Sequence, residues 1–190
     1  MKLLLLRHTS VDIPSGVCYG QTDVGLADSY DHELEKIRSL LTGIEVTRIF
    51  SSPLKRCAVL AGDIAPYGVE VSYDRALMEL NFGNWEMQKW NDISKSNMAK
   101  LWFNDYVNVR CPGGEAYTDL LKRVDSFIYR LSMEYTGGNL LVVTHAGVIR
   151  AFYSLIESVG PCRAFSLNIR HGEMLEFTVS HNYKKGYFQH

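Results

Sequence analysis

The sequence predicts an α/β fold, a three-layer sandwich in which a mostly parallel central sheet carries helices on both faces. Two observations support this prediction. Leu3–Leu6 and Leu140–Val143 are short, continuously apolar runs, which is typical of strands that are buried on both faces of a parallel sheet. Weaker strand candidates then alternate along the chain with segments of helical length, an order that is typical of α/β domains.

Four weaker strands and four helices complete the prediction. The strands are expected at Thr47–Ser51, Val69–Tyr73, Ala164–Ile169 and Met174–Val179, and the helices at Asp31–Leu41, Leu54–Ala65, Ala116–Tyr135 and Val148–Ser158. The last two strands alternate apolar and polar residues on either side of Gly172, so they predict a β-hairpin with this glycine in its turn. Ser52 and Pro53 precede the second helix and are expected to be its N-cap and first helical residue.

Length and composition indicate one folded domain, 1–190. The chain has 190 residues, of which 46% are hydrophobic and 22% are charged, values that are typical of a globular protein. The segment Asn81–Val109 carries all three tryptophans and is predicted to be an insertion made of a loop and a helix.

The charge balance and the cysteines exclude several classes of protein. Lys and Arg number 20 and Asp and Glu 21, whereas a nucleic-acid binder usually has a basic excess. A membrane span needs about 20 apolar residues, and the run after Met1 stops at Arg7, which is too short for a signal peptide. The four cysteines are scattered without a C-x-x-C pair, which indicates free thiols in a reducing compartment. We expect a cytoplasmic protein without nucleic-acid or membrane partners.

Both buried runs lead into a histidine. Leu3–Leu6 is followed by Arg7 and His8, and Leu140–Val143 is followed, one residue later, by His145. In open parallel sheets, ligands bind outside the carboxyl ends of the strands. A single histidine at such a position is more readily explained as a structural side chain. Two histidines at matching strand ends, together with an arginine, favour a functional site.

A further basic group is predicted at the same edge of the sheet. The strand that ends at Ser51 leads through Ser52 and Pro53 into a helix whose first turn holds Arg56. Helical side chains tilt toward the helix N-terminus, so this guanidinium can reach back to the sheet edge, and a helix start also attracts anions. Because arginine matches phosphate oxygens in a bidentate way, Arg7, Arg56 and the two histidines predict a phosphate site.

Glu79 is the candidate proton donor for a leaving group. It lies within residues 77–83 between apolar neighbours, where an exposed carboxylate would be out of place. A salt bridge within the loop is the alternative explanation. The sequence has no GxxxxGK[ST] loop and no cluster of metal ligands with familiar spacing, so neither a metal nor a cofactor is predicted.

Six groups of residues occur in order along most of the chain. They are Leu6-Arg7-His8, Tyr19-Gly20-Gln21-Thr22-Asp23, Ser51-Ser52-Pro53-Leu54-Lys55-Arg56, Leu77 and Glu79 with Phe82-Gly83-Asn84-Trp85-Glu86, Pro112-Gly113-Gly114-Glu115, and Val143-Thr144-His145-Ala146-Gly147-Val148-Ile149-Arg150. In this order they resemble the histidine phosphatase superfamily, which includes phosphoglycerate mutase. The resemblance implies a phosphoglycerate mutase-like fold.

The resemblance also implies a phosphomonoesterase that works through a phosphohistidine on His8. Arg7, Arg56 and His145 would hold the phosphoryl oxygens, and Glu79 would protonate the leaving alcohol. The implied catalytic residues are Arg7, His8, Arg56, Glu79 and His145, and the implied substrate-binding residues are Arg7, Gly20, Gln21, Arg56 and Ala146. The expected partner is a small-molecule phosphate monoester, and the oligomeric state is left open.

Within the superfamily, Arg7-His8-Thr9 with Cys18-Tyr19-Gly20 is most similar to the alpha-ribazole phosphatases of cobalamin biosynthesis. Hydrolysis of alpha-ribazole 5'-phosphate is therefore the first expected function. The alternative is a phosphatase of another small metabolite or a phosphoglycerate mutase, although such mutases usually have a longer insertion after the acid. A non-catalytic phosphoester-binding module is a third hypothesis, but it predicts the loss of His8 or Glu79, and both are present.

Three positions depart from the family pattern. Thr9 and Met87 stand where glycine is common, and Pro14 stands where many members have an asparagine that binds phosphate. These departures leave the loop geometry open. The family's literal Arg-His-Gly-Glu string occurs at residues 170–173, after alternating rather than continuous apolar residues. We therefore do not expect His171 to be the nucleophile.

Overall fold

Strands and helices alternate along most of the chain. The computed structural model describes residues 1–185, in which the elements are β1 (Lys2–Arg7), β2 (Val11–Asp12), β3 (Gly25–Leu26), α1 (Tyr30–Leu41), β4 (Arg48–Ser51), α2 (Lys55–Ile64), β5 (Val71–Tyr73), α3 (Trp90–Ile93), α4 (Asn97–Asn104), α5 (Tyr117–Glu134), β6 (Asn139–Thr144), α6 (Ala146–Ile156), α7 (Pro161–Phe165) and β7 (Met174–Thr178). Short 3-10 turns at Arg75–Leu77 and Gly83–Trp85 lie between β5 and α3. None of the helices in this range is long and apolar enough to cross a membrane.

The central sheet has the strand order β5-β4-β6-β1-β7. Its first four strands run parallel to one another, and β7 is antiparallel to β1 at one edge. The strands β1 and β6 are direct neighbours, and their register pairs Arg7 with Thr144. The next residue after each of these is a histidine. His8 and His145 therefore leave the sheet at the same edge, as the sequence predicts.

Helices cover both faces of the sheet and bury two hydrophobic clusters. Side chains of a strand alternate between the faces of its sheet. Leu3 and Leu5 of β1 pack in the cluster that contains α5 and α6, whereas Leu4 and Leu6 pack in the cluster that contains α1 and α2. Burial on both faces explains why the strand is apolar throughout, and it confirms the predicted three-layer arrangement.

The predicted hairpin around Gly172 is wrong. The segment 164–169 is not a strand, because its first residues end helix α7 and the others form irregular chain. Pro161 occupies the first turn of α7, where proline is favourable. Phe165 packs on Tyr106, with ring centroids 4.3 Å apart, so its apolar character reflects packing rather than a strand face. The partner of β7 is β1, although Gly172 does lie in the turn before β7, with φ of 68°.

Several predicted boundaries also shift. Helix α6 is predicted at Val148–Ser158 and runs from Ala146 to Ile156. The strand β5 begins two residues later than predicted. Helix α2 begins at Lys55, and Leu54 rather than Ser52 is its N-cap residue. The Asp23 carboxylate accepts a hydrogen bond from the Lys55 N–H at 2.7 Å, so a side chain from another loop takes the role expected of Ser52.

The segment Asn81–Val109 forms an aromatic cluster. Trp102 lies 5.6 Å from Trp85 and 6.0 Å from Trp90, measured between ring centroids. Phe82 contacts Trp90 at 5.3 Å. This cluster packs against the hydrophobic core on the α5 and α6 side of the sheet. Phe82 and Trp90 also line a cleft at the carboxyl edge of the sheet, so the segment contributes one wall of that cleft.

Candidate active site

Two histidine rings face each other at the carboxyl edge of the sheet. The ring centroids of His8 and His145 are 5.1 Å apart in an edge-to-face arrangement, and both side chains are buried. The backbone N–H of His8 donates to the backbone carbonyl of Thr144 at 3.0 Å, which extends the β1–β6 pairing by one residue. The strand pairing itself therefore sets the distance between the two rings.

A hydrogen bond fixes the tautomer of His8. Its Nδ1 lies 2.7 Å from the Thr9 carbonyl oxygen, which can only accept, so Nδ1 carries the proton and Nε2 keeps a free lone pair. Burial, followed by the positive charge of Arg56, lowers the pKa of His8 well below its ordinary value. His8 is therefore neutral near pH 7, with Nε2 available as a nucleophile.

Residues before and within α2 contact the His145 ring. Its Nε2 lies 2.9 Å from the Ser52 hydroxyl and 3.5 Å from the Cys57 thiol. Burial and then the charge of Arg56 lower the pKa of His145 well below its ordinary value. Ser52, which does not cap α2, instead orients this second imidazole.

Arg56 is fully buried at the start of α2. Its Nη2 donates to the Gly20 carbonyl at 2.6 Å and its Nη1 to the Thr22 carbonyl at 3.0 Å, while the guanidinium carbon lies 5.1 Å from the centre of the Tyr19 ring. The salt bridges within residues 1–185 do not include Arg56, and its Nε has no hydrogen-bond partner there. A buried cation without an ion pair is suited to bind an anion.

Arg7 lies on the other side of His8. Its Nη1 donates to the Ile169 carbonyl at 2.6 Å, and its Nη2 donates to Nε2 of His171 at 2.9 Å, because a guanidinium has only donors. Partial burial and the charge of Arg7 lower the pKa of His171 to about 4, so this ring accepts the bond in its neutral form. Like that of Arg56, the buried Nε of Arg7 has no partner in the described chain, and a phosphate oxygen would satisfy both donors.

Backbone groups hold the Glu79 carboxylate. Its Oε1 accepts from the Leu80 N–H at 2.9 Å, and its Oε2 accepts from the Gly147 N–H at 3.1 Å. Each oxygen retains a second lone pair, so the carboxyl group can still carry and release a proton. A Cβ atom at position 147 would lie 2.2 Å from Glu79 Oε1, so only glycine permits this contact. The start of α6 therefore positions both His145 and Glu79.

A cleft of about 300 Å³ opens beside these groups. Its polar lining comes from Arg7, His8, Gly20, Glu79 and Arg150, and the rest from Val17, Cys18, Tyr19, Phe82 and Trp90. The lining thus combines arginines, a histidine and a carboxylate with aromatic rings. This arrangement can bind a phosphate ester by its phosphoryl group and contact the remainder of the molecule with ring faces.

The sequence profile of the histidine phosphatase superfamily (branch 1) matches residues 3–186. The chain belongs to this superfamily. It is 29% identical over 154 residues to the adenosylcobalamin/alpha-ribazole phosphatase of Escherichia coli (strain K12), which covers 78% of this chain and 75% of the relative. It is 25% identical over 163 residues to phosphoserine phosphatase 1 of Hydrogenobacter thermophilus, with 84% and 77% of the two chains covered.

Solved structures of this superfamily have the same fold. The alpha-ribazole phosphatase from Shigella flexneri superimposes with a TM-score of 0.87 over 95% of this chain and 91% of that one, at 23% identity. The phosphoglycerate mutase-like arrangement predicted from the motifs is thereby confirmed. With the family match and the curated relatives, the chain is a phosphatase.

The structure brings most of the predicted site residues of this histidine phosphatase together. Arg7, His8, Arg56, Glu79 and His145 meet at one edge of the sheet, and Gly20 lines the same cleft. Gln21 instead lines a neighbouring cavity, and its side-chain amide donates to the Glu79 carbonyl at 2.9 Å. Ala146 is the first residue of α6, directly after His145.

Sequence reasoning missed the position of His171. Its ring centroid lies 5.3 Å from that of His8, next to Arg7, because β7 pairs with β1 and places the preceding turn beside the site. The string at residues 170–173 gave no signal of this, since the pairing of β7 was predicted incorrectly. Among residues 1–185, no group of three or more acidic, cysteine or histidine side chains is arranged to hold a metal ion.

Proposed function

We propose that this phosphatase hydrolyses phosphate monoesters through a phosphohistidine formed on Nε2 of His8. The observation that carries the proposal is the hydrogen bond from Nδ1 to the Thr9 carbonyl, which leaves Nε2 unprotonated within the field of Arg56 and Arg7. The buried Nε of each of these arginines has no hydrogen-bond partner in residues 1–185. His8 and Arg7 line the cleft, and Arg56 donates to Gly20, which also lines it. Phosphoryl transfer depends mainly on such positioning and on electrostatic stabilisation.

In the first step, the Nε2 lone pair of His8 attacks phosphorus and the bond from phosphorus to the ester oxygen breaks. Arg7, Arg56 and His145 hold the three remaining oxygens and stabilise the charge that they carry. Glu79 gives its proton to the departing alkoxide, so the alcohol leaves neutral.

In the second step, water attacks the phosphohistidine in line with the P–N bond. Glu79, now ionised, accepts a proton from that water, inorganic phosphate is released, and Nε2 regains its lone pair. The carboxylate is thereby returned to its acid form, and no further reactant is needed.

For the substrate, we propose alpha-ribazole 5'-phosphate. The E. coli relative named for this activity is 29% identical over most of both chains. The aromatic wall formed by Tyr19, Phe82 and Trp90 supports the assignment, because an aromatic base attached to a ribose phosphate can pack on ring faces. With this substrate, the enzyme would act in cobalamin biosynthesis.

A second candidate substrate is a small phosphoester with a carboxylate, such as phosphoserine. The observation that favours it is Arg150, which lines the same cleft and donates through Nη2 to the Leu167 carbonyl at 3.0 Å. Burial lowers the pKa of Arg150 from its ordinary value, although the nearby charge of Glu79 opposes that shift. A guanidinium at this position can pair with a carboxylate on the leaving group.

Phosphoenzyme trapping tests the reaction. Wild-type enzyme quenched during turnover of a labelled ester should carry acid-labile phosphate on His8, and His8→Ala should lose both the label and turnover. Activity should persist in EDTA, because the arginines supply the positive charge that a metal ion would otherwise provide. Label that maps to His145 or His171 would contradict the proposed nucleophile.

A substrate panel tests the leaving group. We expect kcat/KM to be highest for alpha-ribazole 5'-phosphate and to change little in Arg150→Met. Preference for phosphoserine or 3-phosphoglycerate, together with a loss of that preference in Arg150→Met, would favour the second candidate.

A further inference from the structure

The carboxylate of Glu86 is surrounded by hydrogen-bond donors, most of them from the loop that contains Gln21 and Thr22. Its Oε1 accepts from the Gln21 N–H at 2.8 Å and from the Phe82 N–H at 3.1 Å. Its Oε2 accepts from the Thr22 N–H at 2.6 Å and from the hydroxyl of the same threonine. Both oxygens are thus committed to holding the backbone. Glu86 is therefore poorly placed to exchange a proton with a substrate.

The loop that Glu86 holds is the one that holds Arg56. The carbonyls of Gly20 and Thr22 accept hydrogen bonds from the two terminal nitrogens of the Arg56 guanidinium, at 2.6 and 3.0 Å. The N–H groups of Gln21 and Thr22, which lie between and beside these carbonyls, donate to Glu86. In one loop, the N–H groups are fixed by a carboxylate and the carbonyl groups fix a cation.

Two further contacts tie this arrangement together. The backbone of Cys18 pairs with the residues that follow Glu86: the Met87 N–H donates to the Cys18 carbonyl at 2.6 Å, and the Cys18 N–H donates to the Gln88 carbonyl at 2.9 Å. Gly20 has φ of 28°, and a Cβ there would lie 2.2 Å from Glu86 Oε1, so the loop fits closely over the carboxylate. Main-chain pairing and close packing thus fix the N-terminal end of the loop.

We propose that Glu86 is a positioning residue for phosphoryl transfer, which acts through the Gly20–Thr22 loop to hold the Arg56 guanidinium in its phosphate-binding orientation. This inference rests on the proposed phosphatase mechanism. Within residues 1–185, Arg56 is buried without an ion pair, and loop carbonyls accept from two of its nitrogens. When the loop loses its carboxylate, those carbonyls shift and the oxyanion loses a correctly directed donor.

The test is Glu86→Gln, which keeps the side-chain shape but turns one acceptor oxygen into a donor that opposes the Thr22 N–H. The probes are 4-nitrophenyl phosphate, an alkyl phosphate, and orthovanadate as an oxyanion. We expect roughly a 10- to 100-fold weaker inhibition by vanadate and a similar loss in kcat/KM. The loss should be equal for the aryl and alkyl esters, because a positioning residue does not protonate the leaving group.

A double-mutant cycle shows whether the effect passes through Arg56. In an Arg56→Met background, Glu86→Gln should weaken vanadate binding no further. Asp119→Asn is the matched control, since Asp119 also accepts a backbone N–H, from Ala116 at 2.9 Å, far from the site along the chain. It should lower the melting temperature without changing vanadate inhibition.

Thr22→Val serves as a milder variant if Glu86→Gln does not fold, because it removes only the hydroxyl contact. A smaller loss of vanadate affinity in the same direction is then expected, again absent in the Arg56→Met background. Wild-type vanadate affinity in the folded variants, or an effect of equal size in both backgrounds, would overturn the positioning role alone. A wild-type chain that neither hydrolyses 4-nitrophenyl phosphate nor binds vanadate would overturn the proposed function as well.

Discussion

Two arginines, Arg7 and Arg56, act electrostatically on two buried histidines whose pKa values are lowered, so that both rings are neutral near pH 7. Arg56 is a main cause, after burial, of the lowered pKa of both His8 and His145. The same charge that attracts a phosphate therefore keeps the proposed nucleophile unprotonated. The cost of burying Arg56 without an ion pair is offset when an anion enters the cleft. Binding and activation of the nucleophile thus arise from the same side chain.

Glu79→Gln tests the proposed general acid when its effect is compared between phosphate esters with poor and good leaving groups. An alkyl phosphate has a poor leaving group that needs the proton, whereas nitrophenolate leaves without it. In single-turnover phosphorylation, the variant should lose on the order of 10²–10⁴-fold for the alkyl ester and clearly less for the aryl ester. Single turnovers are needed because the second step also uses Glu79.

The comparison of the two esters also controls for damage to the site. The Glu79 carboxylate accepts from the N–H groups of Leu80 and Gly147, and the amide introduced by the substitution would turn an N–H donor toward one of them. Such a misfit would slow both esters equally. Equal losses would therefore mean that Glu79 positions the substrate rather than protonates it.

At the scale of single elements, the first turn of α6 does two things. It begins directly after His145, and its Gly147 N–H donates to Glu79. The positive end of a helix favours a carboxylate at this point. The helix therefore connects His145 with Glu79, the proposed acid.

Gly147→Ala should displace the Glu79 carboxylate and lower activity while the protein remains folded. A Cβ would lie 2.2 Å from Glu79 Oε1, so the carboxylate must move, and a displacement of about 1 Å can cost roughly 10²-fold in kcat/KM. The control is Gly62→Ala in α2, where nothing lies within 4 Å of the new Cβ. It should keep activity and raise the free energy of unfolding by about 0.5–1 kcal/mol. Full activity in Gly147→Ala would mean that the carboxylate need not stay where it is.

Elements that are buried on both faces could be predicted from sequence, because no polar face interrupts them. The continuous apolar runs located β1 and β6, and from them the positions of Arg7, His8 and His145. The position of His171 could not be predicted, because nothing in Met174–Thr178 specifies that β1 is its partner. Strand partners distant in sequence leave no local pattern.

Contacts between side chains and the main chain also could not be predicted from the sequence. Glu86 binds N–H groups, which nearly every residue has, so no side-chain pattern points to its loop. The geometry bears on the predicted departure at Met87, because this residue adopts φ of 65°, a conformation that favours glycine. Its side chain is exposed, so the methionine is tolerated without a packing conflict.

For the whole molecule, the site exists only when the sheet has formed. Its groups come from the ends of β1 and β6, the start of α2, and loops on both sides of these elements. Formation of the site buries His8 and His145 in neutral form, next to cations. The unfolded chain has no such constraint, so its histidines take up protons at their ordinary pKa of about 6.5. The fold and the protonation of these rings are therefore linked.

The free energy of unfolding should fall as the pH is lowered below about 6.5. In this range the unfolded chain binds protons on His8, His145 and the more exposed His171 that the native chain does not. Stability therefore decreases by up to about 1.4 kcal/mol per pH unit for each of the two buried rings, with a smaller contribution from His171, until the lowered native pKa values are reached. Urea unfolding at pH 5.0–7.5 measures the slope. His145→Asn should make the slope shallower by the contribution of the one proton that this ring takes up on unfolding. An unchanged slope in His145→Asn would mean that this ring is protonated in the native chain, where it would repel Arg56 instead of sharing the phosphate with it.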